Sequence, residues 1–196
     1  KIICKKGYHS NEVTNFYKSY IKYKKNNLPF VTAKIAVSKD LFTKHKYKKF
    51  ITNQYSRGRV HLMRSIHDCI VTSSKTVCDD NPRLNCRIRG LEKTSPTRVI
   101  LDKNLETKFS ASLIKTSNIY KTIIFYNKTN KKKINYLKKL KIKLYKVSVD
   151  NKNRLNLREI LFILRLKGFS RIFLEAGLNL TKGFLIDNLI DELHLF

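Results

Sequence analysis

Five short apolar runs constrain this chain most: Phe30–Val37, Cys69–Val71, Thr97–Leu101, Thr122–Tyr126 and Arg171–Leu174. Rich in Val, Ile, Thr and Phe, they read as buried strands. Segments with helical spacing separate them. Asn53–Arg64 turns Tyr55, Val60, Leu62 and Met63 toward a core, and a helix over about 134–141 leads into a strand over 142–149. The clearest helix opens at Asn156, with Glu159 three residues on as in a capping box, Leu157, Ile160, Leu161 and Leu164 on one face, and Gly168 as its stop. Leu178–Leu189 reads as a further helix and Leu193–Phe196 as the start of one more strand. Alternating strands and helices predict an α/β domain with a central, mostly parallel sheet flanked by helices. In such sheets the ligand crevice lies outside the carboxyl ends of the strands, so the residues after each strand are the ones to inspect.

Residues 1–29 differ in kind. They are polar, rich in Lys, Asn and Tyr, and closed by Pro29, with a helix-like spacing of Val13, Phe16, Tyr17 and Tyr20, and they read as a connector. The first residue is Lys1, and Glu192–Phe196 alternates like a strand cut short, so a fragment of a longer protein is expected, incomplete at its carboxyl end. No apolar run reaches the ~18 residues of a membrane span. Cys4, Cys69, Cys78 and Cys86 form no paired framework, which favours a reducing, cytoplasmic setting.

A formal net charge of +28 suggests nucleic acid as a partner. The composition argues otherwise, because 31 Lys and 17 Asn are spread over every segment, the skew expected of AT-rich codons. Even the densest run, Lys131–Lys146, is interleaved with Ile134, Leu137, Leu140, Ile142 and Leu144, as a helix and strand with solvated lysines would be. Hydrolytic, dinucleotide-fingerprint and zinc spacings are absent, and the five histidines have no ligand spacing with the cysteines, so no metal is expected.

The polar residues with chemistry to offer concentrate after two strands: Thr72–Arg87, and Glu175-Ala176-Gly177. A carboxylate at a strand end can bond sugar hydroxyls, and a glycine before a helix lets phosphate reach its amides. The plainer alternative is a turn at Asp79, Asp80 and Pro82, with Glu175 capping a helix.

At these residues, from about Asn11 to Phe196, the chain resembles the reductase domain of the bifunctional deaminase–reductase of riboflavin biosynthesis, a family with a dihydrofolate-reductase-like fold. The resemblance rests on motifs in order: Pro29–Ala36 with Ser38 and Asp40, Phe50-Ile51-Thr52, Val60-His61-Leu62-Met63-Arg64, Thr76-Val77 with Asp79–Arg87, Arg98–Asp102, Glu175-Ala176-Gly177 and Asp191-Glu192-Leu193. It implies NADPH-dependent reduction of the ribosyl group of a phosphoribosylamino-pyrimidine to the ribitylamino product. It further implies substrate contacts from Lys34, Lys48, Arg64, Leu84, Arg87 and Glu175, with Lys34 and Glu175 at the reacting sugar and the two arginines on its phosphate. Dinucleotide contacts would come from Ala36, Phe50, Thr76, Asp80, Gly177, Leu178, Asn179, Leu180 and Gly183. The same resemblance makes residues 1–29 the connector from a zinc deaminase domain whose motifs this chain lacks, residues 30–196 the reductase domain, and a homodimer the expected assembly. Three positions depart from the family pattern: Leu41 replaces a turn glycine, while Lys48 and Lys182 replace small residues. The alternatives are a pterin or folate reductase of the same fold, a basic nucleic-acid-binding module, and a decayed reductase retained for interaction.

Overall fold

The computed structural model describes residues 3, 5–40, 42–43, 51–128 and 130–196. Its strands are β1 (Phe30–Ile35), β2 (Cys69–Ser73), β3 (Thr97–Leu101), β4 (Thr122–Tyr126), β5 (Lys143–Lys146), β6 (Arg171–Glu175) and β7 (Glu192–Leu195). All pair in parallel, in the order β5-β4-β3-β2-β6-β1-β7. The helices are α1 (Ser10–Lys25), α2 (Gln54–Ser65), α3 (Ser74–Asp80), α4 (Ser112–Lys115), α5 (Lys131–Lys139), α6 (Leu157–Leu166) and α7 (Leu178–Ile186).

A parallel sheet must be covered on both faces, which is why its inner strands read as unbroken apolar runs; β4 is buried at all five positions. Val31, Ala33, Val71, Val99, Ile172 and Leu174 point into one core, closed by Leu157, Ile160, Leu161 and Leu164 of α6 and Phe184 of α7. Ile70, Ile100, Ile124 and Phe173 point into the other, closed by Val60 and Met63 of α2, Val77 of α3, Leu113 and Ile114 of α4, and Leu137 of α5. Connections from β1 through β5 thus run over one face, and those leaving β5 and β6 run back over the other. Progress along the sheet reverses where the helices change face, as a single hand of crossover requires. At β6, flanked by β2 and β1, the chain leaves toward one face while both neighbours leave toward the other, the switch point beside which ligands bind in sheets of this kind.

Local chemistry set several boundaries differently from the apolar pattern. Asn130 accepts from the amide of Lys133 (3.0 Å), so α5 starts three residues early. Asn188 takes a left-handed φ of 56°, and the amides of Asn188 and Leu189 return to the carbonyls of Leu185 and Phe184, so α7 stops short of Leu189. Half of the expected capping box forms: Asn156 accepts from the amide of Glu159 (3.1 Å), but the Glu159 carboxylate bonds Ser148 instead. The polar stretch after β2 is a helix, α3, capped by Ser73 and anchored in the core by Val77. Two turns with one buried residue leave no period to read. The segment before β1 also folds onto the sheet: α1 sits at the β1–β7 edge, where Lys18 pairs with Glu192 and Lys22 with Asp191. Its aromatic stripe points outward, Phe16 being 70% and Tyr20 57% exposed.

Candidate active site

Register places the first two residues of the site. On β1 and β6, Lys34 lies directly opposite Glu175, one step past Ala33 and Leu174. Those two belong to the core under α6 and α7, so by strand alternation Lys34 and Glu175 project to the other face, beneath α2. There α2 presents His61 and Arg64, one turn apart. Arg64 grips Glu175 with both arms of its fork, Nε to Oε2 (3.0 Å) and Nη2 to Oε1 (2.9 Å), while Nη1 donates to the Asn85 carbonyl (3.1 Å). The side chains of this pair keep 9% and 18% of their exposure, so water screens them little. Burial pushes the Glu175 carboxyl up, but the charge and hydrogen bonds of Arg64, with the charge of Lys34, hold it below the usual carboxylate range. It is an anion that accepts hydrogen bonds at neutral pH.

The loop after α3 completes this side. Leu84, at a left-handed φ of 52°, is buried in the core below the loop. Arg87 is exposed, donating from Nη1 to Asn85 Oδ1 (3.1 Å). Burial together with the charges of Arg64 and Arg83 lowers its pKa, against Glu175, which raises it. His61 accepts the Arg87 amide at Nδ1 (3.2 Å). Burial, Arg64 and Arg87 lower its pKa to about 4, so the imidazole is neutral at pH 7. Lys34, Arg64 and Arg87 against Glu175 leave a local charge of 3 − 1 = +2, suited to an anionic ligand.

Across the end of β6 lies a second feature. The Gly177 amide donates to Thr76 Oγ1 (3.3 Å), which also meets Ser73 Oγ (3.0 Å), tying α3 to the start of α7. N-cap side chains close α2, α3, α5 and α6, whereas α1, α4 and α7 have none. Gly177 has a φ of −70°, open to any residue, and a Cβ there would meet Thr76 Oγ1 at an ordinary 3.8 Å. Neither backbone nor packing requires glycine, and its lack of a side chain leaves the approach to the α7 amides open.

The expected residues therefore divide. Lys34, Arg64, Arg87 and Glu175 converge, with Arg64 buried against Glu175 and Arg87 exposed. Thr76, Gly177, Leu178 and Asn179 line the opposite side, with Ala36 just past β1; Leu180 leans into the core, and Asp80 is exposed at the far end of α3. Gly183 does not join them: it is buried, and a Cβ there would press on Arg154 Nη1 (3.3 Å) and Leu157 (3.6 Å). Lys48, Phe50 and Leu41 lie outside the described residues. His61 and Asn85, which link the arginines, were not expected to act; the spacing of His61 and Arg64 on one helix face was the available signal. A cavity of about 310 Å³ sits at the other end of the strands, between α1 and Asp68, Ser170 and Arg171. Volume alone points away from these polar groups.

Comparison with known proteins gives the fold and site a family. The sequence profile of the RibD C-terminal domain matches residues 29–196. The chain belongs to that family. It is 30% identical over 198 residues to riboflavin biosynthesis protein RibD of Bacillus amyloliquefaciens, a match covering 100% of this chain and 52% of that protein. It is 29% identical over 160 residues to the 5-amino-6-(5-phosphoribosylamino)uracil reductase of Buchnera aphidicola, covering 76% of this chain and 73% of that one. In fold it is similar to the RibD of Acinetobacter baumannii, with a TM-score of 0.78 at 24% identity over 94% of this chain and 50% of that one. The chain spans about half the length of the RibD relatives it matches. Among the described residues no helix is long and apolar enough to cross a membrane.

Proposed function

We propose that this domain reduces the ribosyl group of 5-amino-6-(5-phosphoribosylamino)uracil to the ribitylamino product of riboflavin biosynthesis. The observation that carries the reading is the row at the end of β6: an ionised Glu175 held between Lys34 and Arg64, cationic overall, beside an uncapped helix start. A phosphorylated sugar needs both halves of that arrangement. Reductases of this family imply a nicotinamide dinucleotide, and we take it to be NADPH, which when bound supplies the hydride. Thr76, Gly177, Leu178 and Asn179 would hold its phosphates on the α7 amides, with Ala36 and Asp80 as further contacts.

The remaining work falls to the chain. Glu175 accepts hydrogen bonds from sugar hydroxyls, Lys34 donates one to the opened sugar, and Arg87 receives the phosphate. Arg64 fixes the Glu175 carboxylate in plane and in its charged state, and Leu84 supports the loop from below. In the same reading residues 1–29 connect to a deaminase domain of a cytoplasmic, homodimeric parent protein. The test is NADPH consumption by the purified protein with the phosphoribosylamino-pyrimidine, against NADH and against dihydrofolate. Oxidation that depends on the pyrimidine supports the reading; consumption with dihydrofolate alone, or none, overturns it.

A further inference from the structure

Residues 84–87 form a loop with one bond of its own, Arg87 Nη1 to Asn85 Oδ1 (3.1 Å), and its backbone is held from outside. Leu84 occupies the left-handed region, unfavourable for a branched side chain, and each residue after it is pinned by a side chain from elsewhere. The Asn85 carbonyl accepts from Arg64, and Asn85 Nδ2 donates to the Tyr120 hydroxyl (3.0 Å). The Cys86 amide donates to Ser95 Oγ (3.0 Å), and the Arg87 amide to His61 Nδ1 (3.2 Å). The last of these sits directly under the exposed guanidinium.

We infer that His61 is a positioning residue for sugar-phosphate recognition, its ring fixing the Arg87 backbone so that the guanidinium stands at the crevice. The inference rests on the reading of Arg87 as the phosphate ligand. To accept at Nδ1, the ring must carry its proton on Nε2. Burial chiefly keeps it so, and the charges of Arg64 and Arg87 add to it, against Glu175 and the Asn85 backbone, which favour a second proton. His61 is thereby a constant acceptor, and its proximity to Glu175 does not make it a proton donor.

Two variants of the purified protein test this, with Arg87→Ala as reference. His61→Leu removes the acceptor; His61→Asn keeps one, because Asn Oδ1 falls where Nδ1 stood. Binding of ribose 5-phosphate and of ribose is measured by calorimetry, and KM and kcat with the phosphorylated pyrimidine and its phosphate-free analogue. His61→Leu is expected to weaken ribose 5-phosphate binding and raise KM about five- to tenfold. It should leave kcat within about twofold, leave the phosphate-free analogue unaffected, and be rescued by His61→Asn. Equal losses with and without the phosphate, or no loss, would overturn the role of His61 while Arg87→Ala still discriminates. If Arg87→Ala binds ribose 5-phosphate like the parent, the phosphate reading falls, and this inference with it. Melting temperatures of all three variants separate binding losses from a population of unfolded protein.

Discussion

Arg98 on β3 and Arg64 on α2 serve the same face of the sheet and lose nearly all contact with water, at 0% and 7% exposure, yet their surroundings differ in kind. Arg98, near the amino end of its strand, has no carboxylate. Its Nη2 meets the carbonyls of Leu113 (2.9 Å) and Tyr120 (3.0 Å) and the Thr122 hydroxyl (2.7 Å), and its Nη1 meets Thr116 Oγ1 (2.8 Å). Burial lowers its pKa to about 10, still protonated at neutral pH, and Nε has no hydrogen-bond partner among the described residues. Arg64, near the carboxyl end of β6, is matched by a full charge that a ligand can share. A buried cation among carbonyls can only tie a fold together. One facing a carboxylate that keeps 18% of its side-chain exposure also sets the charge and direction of a group at the edge of solvent.

The largest effect expected from breaking this contrast is at the structural arginine. Arg98→Met strips several charge-assisted bonds and takes from the Leu113 carbonyl its donor, while Tyr120 keeps the Thr122 hydroxyl, for a loss of roughly 3–5 kcal/mol in urea unfolding. KM of the folded fraction should be unchanged; a large KM shift would erase the distinction. Next is Glu175→Gln, which leaves Arg64 without its countercharge and should cost about 2–3 kcal/mol, together with most of the turnover. The double variant Arg64→Met/Glu175→Leu should regain over half of that stability and none of the turnover, so recovered activity would make the pair merely structural. Arg87→Ala, at an exposed position, should raise KM about tenfold and change stability by less than ~0.5 kcal/mol.

Acid sharpens the comparison at smaller amplitude. Free histidine titrates at 6.5 and His61 at about 4, so the unfolded chain binds the extra proton first; its contribution to stability is full above 6.5 and fades as pH falls toward 4. Glu175, held below its ordinary 4.5, contributes fully above that value and loses its share as pH drops beneath it. His61→Asn should flatten the upper part of this profile in thermal melts, and Arg98→Met should leave its shape alone. The smallest effect is at Gly177→Val. Dinucleotide affinity should weaken about two- to fivefold, with a stability loss below ~1 kcal/mol. Unchanged affinity per folded molecule would remove the α7 start from the cofactor side.

Apolar runs were enough to locate the strands, and Thr97–Leu101 and Thr122–Tyr126 fell on their observed ends. α3 stayed invisible because its evidence is one hydroxyl cap and one valine. The site was legible as residue types after strands, and Lys34, Arg64, Arg87 and Glu175 do meet. Yet Gly183, named from the same motif as Gly177, faces Arg154 and Leu157 in the interior. The long-range links were out of reach: His61 to Arg87 spans 26 positions, Asn85 to Tyr120 spans 35, and Arg64 to Glu175 spans 111.

The sequence alone determined which segments are strands, which faces are apolar and which charges stand at the strand ends, because these follow from local spacing and transfer energies. Only the tertiary structure decided which of two similar arginines is sealed among carbonyls and which is aimed at a carboxylate. That choice depends on strand order, which lays β6 between β1 and β2 and brings Glu175 under α2, and no local pattern encodes the neighbour a distant segment will become.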